Sequence, residues 1–129
     1  MKTIRVIWLA LLATFLLGAC GEKGPVIDYF QPSNKELAKG KQSYEDGDYQ
    51  TALIHLRKAQ EMGLDDKRDQ VIAHKYVAFI HCVSGRESEC RREFRNALEV
   101  DPGFALSTAE GGHPVWGPIF RSEKSRVAQ

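Results

Sequence analysis

Hydrophobic residues are arranged along this chain in two different ways. Near the start they form one unbroken stretch, Val6 to Ala19, which carries no charge and follows Lys2 and Arg5. From Asn34 onward they recur at helical spacing instead, on one face at a time. That periodic part predicts four helices. Ser33 or Asn34 can cap the first, with Glu36 in its opening turn, and helix formers run to about Asp46 before Gly47-Asp48 breaks the pattern. The second covers about Tyr49 to Met62, with Ala52, Leu53, Leu56 and Ala59 on one side, and Gly63 ends it. The third covers about Arg68 to Val83, with Val71, Ala73, Val77, Ala78 and Ile80 apolar, up to Ser84-Gly85. The fourth covers about Glu87 to Val100, burying Cys90, Phe94, Ala97 and Leu98, until Asp101-Pro102-Gly103 stops it. The predicted fold class is all-α: two helical hairpins, 34–66 and 67–102, with a C-terminal segment over 103–129.

The two hairpins repeat one another. Gly47 and Gly85 open equivalent turns, and positions counted from each glycine match: Ala52 with Cys90, Leu56 with Phe94, Ala59 with Ala97. An internal period of this size is the mark of a stacked-hairpin array. The stretch GDYQTALIHLRKAQ, with Gly40 before its turn, and the stretch FRNALEVDP resemble the tetratricopeptide repeat, a helix–turn–helix unit slightly shorter than the interval between these two glycines. Three departures stand out: a longer loop around Gly63 to Arg68, Glu36 and His74 where the family carries a large aromatic, and Cys90 in place of alanine. The alternative is a plain pair of helical hairpins. The resemblance implies an inner groove lined by Leu37, Lys41, Tyr44 and Glu45 from the first hairpin and by Ile72, Lys75, Phe79 and Val83 from the second. Such an amphipathic mix with two lysines suits an extended peptide or a helix bearing acidic residues. The competing expectation is a shallow groove filled by the chain's own tether or C-terminal segment.

At ~20 residues for a membrane span, the stretch from Val6 to Ala19 is short, and its charged start and small-residue end predict a secretory signal over residues 1–19. An anchor helix with an incidental cysteine is the other reading. The quartet Leu17-Gly18-Ala19-Cys20 resembles the lipobox of bacterial lipoproteins. That resemblance implies cleavage before Cys20, diacylglycerol on its sulfur and acylation of the new amino group. Several acyl chains anchor stably where one is marginal. Gly21, rather than Asp, then favours the outer membrane and its periplasmic face. Residues 20–33 contain Gly and Pro without a period and read as a tether, whose thirteen residues from Gly21 reach at most roughly 45 Å.

Removal of the signal leaves a chain long enough for one modest domain, with acidic and basic side chains nearly in balance. No second long apolar run exists, and nothing in this balance points to a nucleic-acid partner. With Cys20 taken by lipid, Cys82 and Cys90 flank the Gly85 turn at matching heights, where Cα atoms of antiparallel helices fall within disulfide reach. They pair, or they stay buried as small apolar thiols. His74 and His81 stand about 10 Å apart by helical rise, too far for two ligands of one zinc even with the cysteines nearby, so no metal and no cofactor beyond the lipid is expected. No nucleophile–base grouping, phosphate loop or paired catalytic carboxylates stand out, which argues against an enzyme.

The segment from Phe104 to Phe120 carries Phe104, Leu106, Val115, Trp116, Ile119 and Phe120 among glycines and prolines. Pro114 and Pro118 are expected to prevent a long helix, and the tail from Arg121 is expected to fray. Either Phe104 to Leu106 and Val115 to Phe120 cap the last hairpin, with a short helix opening at Pro114, or the segment presents His113, Pro114, Trp116 and Pro118 as a docking motif. Taken together, the sequence points to a lipid-anchored periplasmic adaptor. It would bind protein partners in an envelope, secretion or pilus assembly, as pilotins and the helical lipoproteins of outer-membrane protein assembly do. The alternative is a small structural lipoprotein that dimerises and acts as a spacer.

Overall fold

The structure, a computed structural model, describes residues 31–129. The signal segment, Cys20 and nearly all of the expected tether lie outside the described residues. Six helices follow in order: α1 Pro32–Glu45, α2 Tyr49–Met62, α3 Lys67–Val83, α4 Glu87–Val100, α5 Thr108–Gly111 and α6 Trp116–Val127. All regular structure among the described residues is helical, as the periodicity predicts.

Two boundaries differ from expectation. α1 starts at Pro32, with Gln31 at the capping position and no side-chain cap, so neither Ser33 nor Asn34 caps it. Proline suits a first helical position because its fixed φ is already helical and its missing N–H would have no partner there. Ser33 is consequently a buried residue within the helix rather than the end of a tether. The C-terminal tail does not fray at Arg121 either: α6 runs through it to Val127. Pro118 is the third residue of α6, inside the first turn, where backbone N–H groups have no intrahelical acceptor and proline costs little.

The two inter-helix turns repeat one another bond for bond. After α1, N–H groups of Asp46, Gly47 and Asp48 donate to the carbonyls of Gln42, Tyr44 and Ser43; after α3, those of Ser84, Gly85 and Arg86 donate to Ile80, Cys82 and His81. Every donor and acceptor is displaced by the same interval that separates Gly47 from Gly85. These glycines sit at φ of 78° and 73°, the left-handed conformation that closes a helix with a bond reaching back five residues.

Packing follows chain order: α1 on α2, α2 on α3, α3 on α4 and α4 on α6, with α1 also alongside α3 and α5 against α6. Two apolar clusters result. The first joins Leu37, Ala52, Leu56, Ala59, Leu64, Ala73, Val77 and Ile80; the second joins Ala78, Phe79, Cys82, Cys90, Phe94, Leu98, Trp116 and Phe120. Tyr44 and Tyr76 pack against both and bridge them. The second cluster is closed by α6. Phe120 meets Phe94 and Phe104 edge-on at 5.2 and 5.3 Å between ring centres, and the fully buried Glu123 accepts from Arg91 at 2.9 Å and Arg95 at 3.1 Å of α4.

Cys82 and Cys90 are joined as a disulfide across the α3–α4 turn, with Cα atoms 5.1 Å apart. Both are buried within the second cluster.

Candidate functional site

The surface with most chemistry is the face shared by α1 and α3. Tyr44 and Tyr76 meet there edge to face with ring centres 4.9 Å apart, and Tyr49, at the start of α2, lies 5.5 Å from Tyr44. Lys41 stands one turn before Tyr44 on the same side of α1, and Glu45 follows Tyr44 directly at the end of the helix. Burial, then the neighbouring phenols of Tyr49 and Tyr76 and the Glu110 carboxylate, push the Tyr44 hydroxyl up to about 12. Burial followed by Glu45 and Glu110 raises Tyr76 as well.

The second-hairpin half of this face is covered by the chain itself. Trp116 stacks on Phe79 at 4.3 Å between ring centres and 18° between planes, and its indole N–H donates to the Glu110 carbonyl at 2.9 Å. Lys75 donates to a Glu110 carboxylate oxygen in a close ion pair at 2.5 Å, and its ammonium lies 4.9 Å over the Tyr76 ring and 5.6 Å over Phe79. Burial alone would raise Glu110, but the Lys75 bond and the Ser107 backbone N–H more than offset it and hold the carboxyl below its ordinary value. Ser107 and Glu110 form a reciprocal capping box that builds α5 and aims Glu110 at Lys75.

The residues named from sequence for a groove do not all share this face. Tyr44 and Lys75 do, while Phe79 lies on it buried under Trp116. Leu37 is core, in contact with the α2 and α3 apolar residues. Ile72 packs partly against the first cluster and lines a separate cleft of about 410 Å³ with Asp66, Lys67, Arg68, Val71, Asp101 and Phe104. Val83 is 39% exposed at the far end of α3. The helical face that turns toward a neighbour cannot be assigned from spacing alone when two neighbours compete for it.

The four docking-motif residues also separate. Trp116 is only 8% exposed, and His113 stacks on it at 3.3 Å while accepting from the Val115 N–H at Nδ1. Pro114 and Pro118 remain exposed. Tyr76 and Glu110 were missed from sequence. Glu110 had a signal, the Ser107-Thr-Ala-Glu110 capping pattern; Tyr76 had none, because its equivalent in the first hairpin is Ala38.

A second polar feature crosses each hairpin. Glu36 of α1 accepts from His55 of α2 at 2.6 Å; His74 of α3 meets Glu93 of α4 at 2.7 Å. The two pairs occupy equivalent positions of the two hairpins, with acid and imidazole exchanged. The His55 hydrogen bond, then that of Lys39, holds Glu36 down to about 2 against the opposing effect of burial. Burial would raise Glu93, yet the bond to His74 and the charges of His74 and Arg92 carry it below the usual range. His81, buried on α3 between Arg57 and Arg86, is pushed down by burial and then by those two cations. Among the described residues no group of three or more His, Cys, Asp or Glu is placed to hold a metal ion, and no helix is long and apolar enough to cross a membrane.

Comparison of the chain with protein-family models, with curated proteins and with solved structures finds no match.

Proposed function

We propose that this chain is a lipid-anchored adaptor whose two hairpins are tetratricopeptide-like and whose α1–α3 face binds a protein partner at the periplasmic side of the outer membrane. The observation that carries the binding part is the aromatic patch of Tyr44, Tyr49 and Tyr76. It is built by three helices from two repeats and stays partly open although the chain's own C-terminal segment covers the adjoining half. Tyrosines offer large, rigid contact area with few rotors, the type of residue that dominates protein interfaces. The matching hydrogen bonds of the two turns support the repeat reading. The Leu-Gly-Ala-Cys quartet ending at Cys20 supports the anchor. In this reading the protein holds a component of an envelope, secretion or pilus assembly in position and performs no catalysis.

The partial covering of the face also favours a second reading, in which the domain is a self-contained spacer with no dedicated ligand. One experiment separates them. A photocrosslinking residue at Lys41 in the membrane-anchored protein gives a discrete heteromeric adduct under the adaptor reading, and Tyr44→Ala with Tyr76→Ala abolishes it. Only self-adducts, indifferent to those substitutions, would leave the spacer. The anchor is tested separately: Cys20→Ala must abolish incorporation of labelled palmitate and leave the precursor at its full mass. Unchanged labelling refutes lipidation at Cys20.

A further inference from the structure

From sequence, the two lysines of the proposed groove suggest an acidic ligand. The structure changes the balance of charge. Lys75 is not available, because Glu110 neutralises it and the α5 segment covers it. What stays open around the tyrosines is Lys41 on one side and Glu45, Asp46 and Asp48 on the other, at the α1–α2 turn. Asp48 accepts from the Thr51 N–H and Asp46 from the Gln42 side chain. Glu45, close enough to Tyr76 to raise its hydroxyl, has no hydrogen-bond or ion-pair partner among the described residues.

The chain also displays what such a cradle holds. The Lys75 ammonium rests over the Tyr76 and Phe79 rings while a carboxylate closes on it from Glu110. On the neighbouring part of the face, Tyr44 and Tyr49 add aromatic surface beside the exposed Glu45, Asp46 and Asp48 of the α1–α2 turn, against the single ammonium of Lys41. An aromatic face attracts a cation through its quadrupole, and guanidinium is favoured because it stacks and is weakly hydrated. An acidic segment would meet Glu45, Asp46 and Asp48 with like charge.

We propose that the open half of the α1–α3 face takes a basic peptide segment of the partner, an arginine or lysine side chain lying on Tyr44 and Tyr49 with its charge against Glu45. The proposal rests on the adaptor reading and specifies the partner's chemistry.

The test uses the full-length lipidated protein purified in neutral detergent at physiological ionic strength. Three fluorescently labelled decapeptides are titrated by anisotropy: arginine alternating with alanine, and the glutamine and glutamate counterparts. The arginine peptide should saturate and bind at least about fivefold tighter than the glutamine peptide, with the glutamate peptide weakest. Glu45→Gln and Tyr44→Ala should each weaken it about three- to tenfold. Tyr44→Phe, which keeps the aromatic face, should retain most of the affinity, and Glu61→Gln on exposed α2 should change nothing. Thermal melts of each variant verify that it is folded. Equal or tighter binding of the glutamate peptide, or no effect of Glu45→Gln, overturns the proposal. If the glutamate peptide wins and Tyr44→Ala weakens it, the face binds partners and only the sign of the ligand is wrong. If no peptide depends on Tyr44, both the proposal and the adaptor reading lose their binding face.

Discussion

Gly40 lies so close to α2 that a Cβ at its position would stand 2.6 Å from Cγ and 3.0 Å from the backbone nitrogen of Leu56. In an exposed helix, replacing glycine by alanine stabilises by about 1 kcal/mol. Here the added carbon meets backbone as well as side chain, and overpacking costs about 1–3 kcal/mol. Gly40→Ala is therefore expected to lower the melting temperature, by several degrees for a domain of this size; a rise would show that α1 and α2 separate freely. Glu36 gives a second residue-scale prediction. Its folded value of about 2 lies below the ordinary carboxylate value of 4.5, so the unfolded chain binds the proton more readily. Its contribution is complete above about pH 4.5 and fades as pH falls toward 2. Denaturation at a series of pH values should show Glu36→Gln losing stability at neutral pH and responding less steeply to acid than the parent protein. The lowered Glu93 acts in the same direction.

At the scale of elements, the α3–α4 hairpin is closed by a disulfide between cysteines only eight positions apart. In the chain-entropy model such a loop contributes about 2–3 kcal/mol. Reduction, or Cys82→Ser, should lower stability by that order, measurable by denaturant unfolding with and without reductant. Equal stability would mean that buried packing alone sets the hairpin. The four long helices were legible in sequence because each carries an apolar stripe and breaks off at a turn signal, as Gly47 and Gly85 show. α6 was not legible. Pro118, Gly117 and the polar run from Arg121 all argue against a helix locally, and what stabilises it is tertiary: Trp116 on Phe79, Phe120 on Phe94, and Glu123 between two arginines. The same holds for the candidate site. Tyr44 and Lys75 were named from the resemblance to the repeat family, but the burial of Phe79 and the loss of Lys75 to Glu110 depend on where residues 107–116 fold back.

For the whole molecule, the C-terminal segment decides where the domain ends. A two-hairpin array leaves the last helix with an uncovered apolar face, and α6 lies on it. Trp116 is the keystone, since it touches α3 through Phe79 and α5 through the Glu110 carbonyl. Trp116→Ala should cost about 3–5 kcal/mol, a large fraction of the stability of a domain this small. It should also expose Phe79 to solvent, seen as increased binding of a hydrophobic dye. Unchanged stability would mean that α6 is held by Phe120 and Glu123 alone.

The two hairpins share one register at the Gly47 and Gly85 turns, so a swapped pairing, with α1 against α4 in place of α2, can be laid out position by position. The exchanged acid–imidazole pairs bear on that choice. With α4 in the position of α2, Glu93 would fall opposite Glu36; with α2 in the position of α4, His55 would fall opposite His74. Native pairing sets acid against imidazole twice, whereas the swapped pairing confines two carboxylates together at one contact and two imidazoles at the other, a penalty that grows as water leaves the contact. Had both hairpins kept the same order, each helix could have mated with either partner at no electrostatic cost. The inversion therefore tells the two hairpins apart, and the swapped pairing is disfavoured most once water has left the contact.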